Sequence, residues 1–140
     1  MKNGHVLVAA STEAGRNFIR LLLYRQVPVA ALTNNKREER LLQGIGVKEI
    51  MRVDTLFNKT EIRPAFPVDR VFIFEVSLPL TCAYLQVVSR WCCRSVTVVT
   101  TMWHPQVIYK KLGASIVLLT QTGEVGFLLD PQFNDRGGMP

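Results

Sequence analysis

The feature of this sequence that most restricts its fold is a regular alternation of short apolar runs and amphipathic segments. The apolar runs are rich in β-branched residues, and the segments between them carry apolar residues at helical spacing. Strands that are apolar throughout, with helices between them, are typical of a parallel sheet covered on both faces. Right-handed crossovers leave few topologies for such a sheet. We therefore predict an α/β fold with a doubly wound sheet in the order 3-2-1-4-5-6.

The pattern predicts one domain over residues 1–130 and a flexible C-terminal tail over residues 131–140. Within residues 121–130 we predict a turn and a final strand, antiparallel to the sixth. Strands are predicted at residues 5–10, 27–32, 47–53, 70–76, 95–101 and 114–120, and helices at residues 14–26, 34–46, 80–93 and 104–113.

The second predicted helix has the clearest capping residues in the chain. Asn34 or Asn35 would cap its start, because a side-chain amide oxygen can accept from a free N–H of the first turn. Gly44 or Gly46 would end it, because glycine adopts the left-handed conformation that commonly follows a helix. Both alternatives are open at each end.

Composition excludes several classes of protein. A net charge of +6 gives general anion affinity, but the basic residues are spread along the chain without interleaved aromatic residues, so nucleic-acid binding is not expected. No apolar run approaches the roughly 18 residues of a membrane span. The apolar run at residues 5–10 leads directly into a helix, unlike a signal peptide. Three cysteines with no pair at zinc spacing indicate reduced thiols and no metal. We expect a cytoplasmic protein without a membrane partner.

The predicted topology places a ligand crevice beyond the carboxyl ends of the strands, where the strand order reverses. Four segments follow strands and meet at this edge: residues 10–15, 33–37, 75–78 and 100–104. Any nucleotide or catalytic site is expected among them.

The stretch VLVAASTEAGRNFIRLLLYRQVPVAALTNN resembles the opening of the atypical short-chain dehydrogenase/reductases, in particular their NmrA-like branch. That family belongs to the NAD(P)-binding Rossmann superfamily and begins with a strand, a G-A-T-G-x-x-G-R turn, a helix and a second strand ending near T-R-N. The resemblance continues through GVKEIMRVDT and VDRVFIF and fades after Phe74. It implies a Rossmann-like fold and a nicotinamide nucleotide.

This chain keeps only part of the family's glycine motif. A β-branched Thr12 replaces the second glycine, which lets the backbone approach the pyrophosphate. Glu13 then places a carboxylate where a phosphate would use the helix dipole. Carried over one position at a time, Ala9 replaces the first glycine, Ala10 and Ser11 keep the Ala-Thr/Ser pair, and Gly15 and Arg16 are retained.

Some features still favour a bound nucleotide. The hydroxyls of Ser11 and Thr12 and the guanidinium of Arg16 could meet a phosphate. After the second strand, no acid is present to hold a ribose 2′-hydroxyl, and the charges there suit a 2′-phosphate, hence NADP(H) rather than NAD(H). The simpler alternative is that this stretch is a capped, solvated helix start. The predicted cofactor-binding residues are Ala10, Ser11, Thr12, Gly15, Arg16, Asn34, Lys36, Arg37 and Asp54, the last at the family's position after the third strand.

The reductase pair that the resemblance implies is absent. The family carries a Ser or Thr after the fifth strand and a Tyr-x-x-x-Lys pair on the next helix, in which the lysine lowers the tyrosine pKa. Thr100 and Thr101 stand in the place of the hydroxyl. Tyr109 is followed four residues later by Gly113, however, and the adjacent Lys110 points to another helix face. A substrate-binding extension is also missing, so we do not expect a reductase.

Three residues at the same edge remain as catalytic candidates: His104, Glu75 and Thr101. A histidine at a strand's carboxyl end can act as a base if a partner orients it, and Glu75 is the other ionisable group at the crevice. The alternative is an ordinary loop histidine.

Three functions are compatible with these observations. The chain binds NAD(P)(H) or another nucleotide without turnover and passes the signal to a regulatory protein partner, as the NmrA-like resemblance implies. Alternatively, it is a ligand-free structural or interaction module, or a divergent oxidoreductase or oxidoreductase subunit. An exposed sheet edge also predicts a homodimer through residues 115–129.

Overall fold

The computed structural model describes residues 4–53, 64–91, 93–101 and 106–120. Six strands form one sheet in the order β3-β2-β1-β4-β5-β6, and every neighbouring pair is parallel. The predicted doubly wound order is confirmed. The elements are β1 His5–Ala9, α1 Glu13–Tyr24, β2 Val29–Thr33, α2 Lys36–Ile45, β3 Glu49–Arg52, β4 Val68–Phe74, α3 Leu78–Val88, β5 Ser95–Thr100, α4 Gln106–Lys111 and β6 Ile116–Leu119.

Helices cover both faces of the sheet and enclose two apolar cores. Phe18 of α1 and Leu42 of α2 belong to the core on one face. Tyr84 of α3 and Tyr109 of α4 belong to the core on the other. Because the central strands contribute side chains to both cores, they carry consecutive buried apolar residues, Leu7–Ala9 in β1 and Val71–Phe74 in β4, and lack the alternation of a half-exposed strand.

The structure decides between the alternatives at the ends of α2. Asn35 is the N-cap, and its side chain accepts a hydrogen bond from the Glu38 N–H at 2.8 Å. Gly46 ends the helix with φ of 118°, in the left-handed region that favours glycine. Gly44 lies inside the helix, where an added β-carbon would meet no atom within 4 Å.

Helix α3 is shorter than predicted. It begins at Leu78, capped by Ser77, with Pro79 in its first turn, and it ends at Val88 before a 3₁₀ turn, whereas the sequence predicts residues 80–93. The early end has a tertiary cause. The Arg94 N–H donates to the Asp69 carbonyl at 2.8 Å, so the chain must leave the helix in time to join the sheet beside β4.

Some predictions lie outside the described residues: the antiparallel final strand, the tail at residues 131–140 and residues 54–63 of the loop before β4. Within the described ranges, no helix combines the length and apolar character that a membrane crossing requires.

Candidate functional site

The candidate site lies at the carboxyl edge of the sheet. Strand β1 is paired with β2 on one side and with β4 on the other, so the strand order reverses at its carboxyl end. Ligands of doubly wound folds bind beyond the strand ends at such a point. The described residues at the carboxyl ends of β1 to β5 are therefore the candidate site.

The turn after β1 is built to cap a helix. Thr12 has extended backbone angles, φ −114° and ψ 167°, and is the N-cap of α1. Its side-chain oxygen accepts a hydrogen bond from the Gly15 N–H at 3.1 Å. That N–H is one of the donors that a helix N-terminus offers to a bound anion. In this chain it is already used, and the exposed Glu13 adds a carboxylate to the first turn.

Close packing explains why residue 15 is a glycine. A β-carbon at Gly15 would lie 2.9 Å from the Cα of Ala10 and 3.2 Å from Cδ1 of Phe74. Real β-carbons essentially never approach another atom within 3.0 Å. Helix α1 therefore needs glycine here to pack on β1 and β4, whether or not a nucleotide binds.

A carboxylate from α2 reaches the turn after β1. The Thr33 hydroxyl, at the end of β2, donates to Oε1 of Glu38 at 2.7 Å. The Ser11 hydroxyl donates to the same oxygen at 3.1 Å. Thr33 is fully buried, while Ser11 and Glu38 are half-buried. Two hydroxyls thus fix a carboxylate beside the segment that precedes α1.

Tyr84 of α3 approaches the same point from the opposite face of the sheet. The residue is 2% exposed, and its hydroxyl has no hydrogen-bond partner among the described residues. Burial raises the pKa of Tyr84 far above its usual value, and the nearby charge of Glu38 raises it further. The Ser11 hydroxyl lies near enough to oppose this pKa shift, but without standard hydrogen-bond geometry. Tyr84 is therefore a neutral phenol with an unused hydroxyl.

A depression of about 440 Å³ opens beside this cluster, at the carboxyl ends of β2 and β3. The Nδ2 of Asn35 donates to Oδ1 of Asn34 at 2.9 Å, so the two amides form one polar wall. Arg52 pairs with Glu39 at 3.3 Å, and its side chain is 44% exposed. An ion pair as exposed as this is weak, so the guanidinium can exchange it for another anion. The depression is lined by Asn34, Asn35, Lys36, Arg52 and Val53.

Some of the predicted nucleotide-binding residues line the depression, and others do not. The structure brings Asn34 and Lys36 together in the depression. Arg37 is exposed on α2 and does not line it. Arg16 lies half-buried on α1, and Asp54 lies outside the described residues.

A second carboxylate lies at the ends of β4 and β5. The hydroxyl of Thr100 donates to Glu75 at 2.5 Å, and the Tyr109 hydroxyl donates to the other oxygen of the same carboxylate. The hydroxyl at this position comes from Thr100, the last residue of β5, whereas Thr101 is exposed beyond the strand. His104, the proposed partner of Glu75, lies outside the described residues.

This environment makes Tyr109 a poor acid. Burial raises the pKa of Tyr109 most, and its hydrogen bond to Glu75 raises it further. A reductase tyrosine needs the opposite, a neighbouring cation that lowers its pKa. Within the described ranges, no group of three metal-ligating side chains occurs either.

Sequence reasoning missed Glu38, Arg52 and Tyr84. A signal for Glu38 is present, because it stands three residues after the Asn35 cap, where a side chain turns back toward the helix start. Arg52 and Tyr84 reach the site through strand pairing and helix packing, which neither local spacing nor composition reveals.

No protein-family model and no curated protein matches this sequence. Solved structures do share its fold. The NAD(P)-binding domain of an exopolyphosphatase-related protein from Archaeoglobus fulgidus matches with a TM-score of 0.63 and 19% identity, over 95% of this chain and 96% of that one. The TrkA-N domain of the inner membrane protein ybaL from Escherichia coli matches with a TM-score of 0.59 and 13% identity, over 84% and 88%.

The GsuK channel bound to NAD matches with a TM-score of 0.63 and 17% identity, over 84% of this chain. The match spans 21% of the channel chain. Identities this low establish architecture alone, and the finer resemblance to the NmrA-like branch stays a prediction. The chain has the α/β fold of the NAD(P)-binding Rossmann-like domains.

Proposed function

We propose that this chain is a non-catalytic, regulatory nucleotide-binding protein that holds the 2′-phosphorylated adenosine of NADP(H). The observation that carries this proposal is the depression at the carboxyl ends of β2 and β3. It has a volume of about 440 Å³ and is lined by two asparagines and two cations. Sites for small ligands fall in the range of roughly 300–1,000 Å³.

The lining residues suit the adenosine end of the nucleotide. The amides of Asn34 and Asn35 supply donors and acceptors for ribose hydroxyls and the base. Lys36 and Arg52 supply positive charge for a ribose phosphate, and Arg52 can present a two-pronged donor. Among the described residues that line the depression there is no carboxylate, which favours a 2′-phosphate over a 2′-hydroxyl.

The pyrophosphate end fits less well. Thr12 uses the Gly15 N–H, and the carboxylates of Glu13 and Glu38 stand at the start of α1. A bound nicotinamide would supply hydride transfer, but Tyr109 is tied to Glu75 and cannot serve as the acid. These observations favour binding without turnover. Two structures with a similar fold, a channel bound to NAD and an NAD(P)-binding domain, support a nucleotide as the ligand class.

A thermal-shift titration with NADPH, NADH and other nucleotides tests the proposal. A ligand at 100 times its dissociation constant adds about 2.7 kcal/mol to the free energy of unfolding. We expect a shift with NADPH that exceeds the shift with NADH and is lost in Lys36→Ala and Arg52→Ala. Lys111→Ala, which removes an exposed cation on α4, is the matched control and should keep the shift.

A ligand-free interaction module is the second candidate. It is favoured by the capped turn, in which Thr12 and Glu38 use the groups that would otherwise meet a phosphate. Such a module would give no shift with any nucleotide.

A further inference from the structure

We propose that Glu38 determines specificity, so that the site binds a nucleoside monophosphate with its phosphate on the ribose 2′ or 3′ oxygen and a free 5′-hydroxyl more tightly than it binds NADP(H), whose diphosphate bridge is disfavoured by the Glu38 carboxylate. This inference rests on the proposed function, because it assigns the ligand of the same depression. It is argued from three features of the carboxyl edge: a fixed charge, donors already in use and one unused hydroxyl.

The charge of Glu38 is fixed in position. Its backbone N–H is held by the Asn35 cap at 2.8 Å, which sets the start of α2 against the end of β2. Its carboxylate is held by the hydroxyls of Thr33 and Ser11. Thr33 is fully buried at the strand end. An incoming anion at the turn after β1 therefore meets a carboxylate that is held by its own hydrogen bonds.

The donors that a diphosphate needs are already engaged. The Ser11 hydroxyl donates to Glu38, and the Gly15 N–H donates to Thr12. Glu13 adds a second negative charge at the start of α1. Two negatively charged phosphates at this turn would face two carboxylates, and like charges repel.

Tyr84 supplies an independent observation. Its hydroxyl is buried at the same point, beside Glu38 and Ser11, and has no partner among the described residues. A neutral donor beside a carboxylate acceptor matches a neutral hydroxyl, which can accept from the phenol and donate to the carboxylate. The free 5′-hydroxyl of a nucleoside provides both functions, and a 5′-phosphate provides neither without repulsion.

The distribution of charge along the carboxyl edge of the sheet fits a ligand whose phosphate lies near β3 and whose 5′-hydroxyl lies near β1. The cations Lys36 and Arg52 lie in the depression at β2 and β3, and the carboxylate of Glu38 lies toward β1. A ligand with its phosphate on the 2′ or 3′ oxygen places its charge on the cationic side and its neutral 5′ end on the acidic side. NADP⁺ carries a phosphate on the 2′ oxygen of its adenosine ribose and the diphosphate on the 5′ oxygen, so it places negative charge on both sides.

Calorimetric titrations with adenosine 2′-monophosphate, adenosine 3′-monophosphate, adenosine 5′-monophosphate and NADP⁺ test the inference. For the unaltered chain, we expect at least one of the first two ligands to bind about tenfold more tightly than the last two. Glu38→Gln keeps an oxygen acceptor for Thr33 and Ser11 but removes the charge. It should raise the affinity for NADP⁺ about tenfold and change that for the preferred monophosphate by less than about twofold.

Two further variants complete the design. Glu49→Gln removes an exposed carboxylate at the opposite edge of the sheet, at the start of β3, and should leave all affinities unchanged. Glu13→Gln alters an exposed residue, so it keeps the fold, and it should raise NADP⁺ affinity by a smaller factor than Glu38→Gln.

Equal binding of NADP⁺ and the monophosphates by the unaltered chain would overturn the role of Glu38 and leave the proposed function intact. An unchanged ratio in both Glu38→Gln and Glu13→Gln would do the same. If no adenine nucleotide binds the unaltered chain or either variant, the proposed function fails and this inference fails with it.

Discussion

At the scale of one residue, Gly15 shows that a glycine of a nucleotide-binding motif can be retained without a bound nucleotide. The glycine is retained from the nucleotide-binding pattern, yet the close approach to Ala10 and Phe74 explains its retention without one. The sequence predicted its place in the turn. It could not distinguish packing from binding, because both require the same missing side chain.

Gly15→Ala should destabilise the fold by about 1–3 kcal/mol, because the added methyl overpacks a backbone contact. Gly44→Ala is the matched control, since its β-carbon would enter open space inside α2. It should stabilise the protein by about 0.5–1 kcal/mol through helix propensity. Denaturant unfolding of both variants checks this prediction, and equal effects from the two substitutions would contradict it.

The two buried tyrosines should make the stability of the protein depend on pH under alkaline conditions. Burial raises the pKa of both Tyr84 and Tyr109 in the folded state. Above a pH of about 10, the unfolded chain loses these protons and the folded chain keeps them, so stability falls as pH rises. The free energy of unfolding should be insensitive to these groups below that pH and fall by about 1.4 kcal/mol per pH unit per tyrosine above it.

Unfolding curves between pH 8 and pH 11.5 measure this slope. Tyr109→Phe removes one of the two groups and should reduce the alkaline slope by about 1.4 kcal/mol per pH unit. A slope that is the same with and without Tyr109 would show that the tyrosine titrates alike in the folded and unfolded chains.

At the scale of elements, local chemistry predicts helix boundaries that neighbouring residues set and fails at those that distant residues set. The cap of α2 at Asn35 was among the predicted alternatives and is confirmed. The predicted end of α3 was wrong. The helix ends early because the Arg94 N–H bonds to the Asp69 carbonyl, and these two residues are far apart in sequence. Glu38 combines both situations. Its place three residues after the Asn35 cap can be read from the local sequence, whereas its hydrogen-bond partner Ser11 is distant in sequence.

Thr12→Ala should destabilise α1 and cost about 1 kcal/mol of stability, because the Gly15 N–H loses its side-chain acceptor. Thr12→Gly should cost only a few tenths of a kcal/mol, since glycine leaves the N–H open to water. Chemical denaturation with both variants separates these expectations. Equal losses would show that the threonine acts through packing rather than through its hydroxyl.

At the scale of the whole molecule, the topology was predictable because strands with apolar middles and intervening helices admit few arrangements. The site was less predictable, because its groups come from strands and helices distant in sequence. The two border strands also differ. β3 carries the exposed, charged Glu49 and Arg52, whereas β6, Ile116–Leu119, is uncharged and has no outer strand partner among the described residues.

Charged residues protect a sheet edge from pairing, so β6 is the edge predicted to pair in a homodimer. Light scattering at micromolar concentration should give twice the chain mass of 15.8 kDa. Leu119→Lys should shift the protein to monomer, while Glu49→Gln at the other border should not. A monomeric unaltered chain would remove this prediction.

The central claim, that a nucleotide binds at the carboxyl ends of β2 and β3, is tested most directly by backbone amide NMR during titration with adenosine 2′-monophosphate. We predict saturable shifts concentrated at Asn34, Asn35, Lys36 and Arg52, with small changes at the amino ends of the strands. Shifts that are absent at millimolar ligand, or that cluster at the opposite edge of the sheet, would contradict the claim.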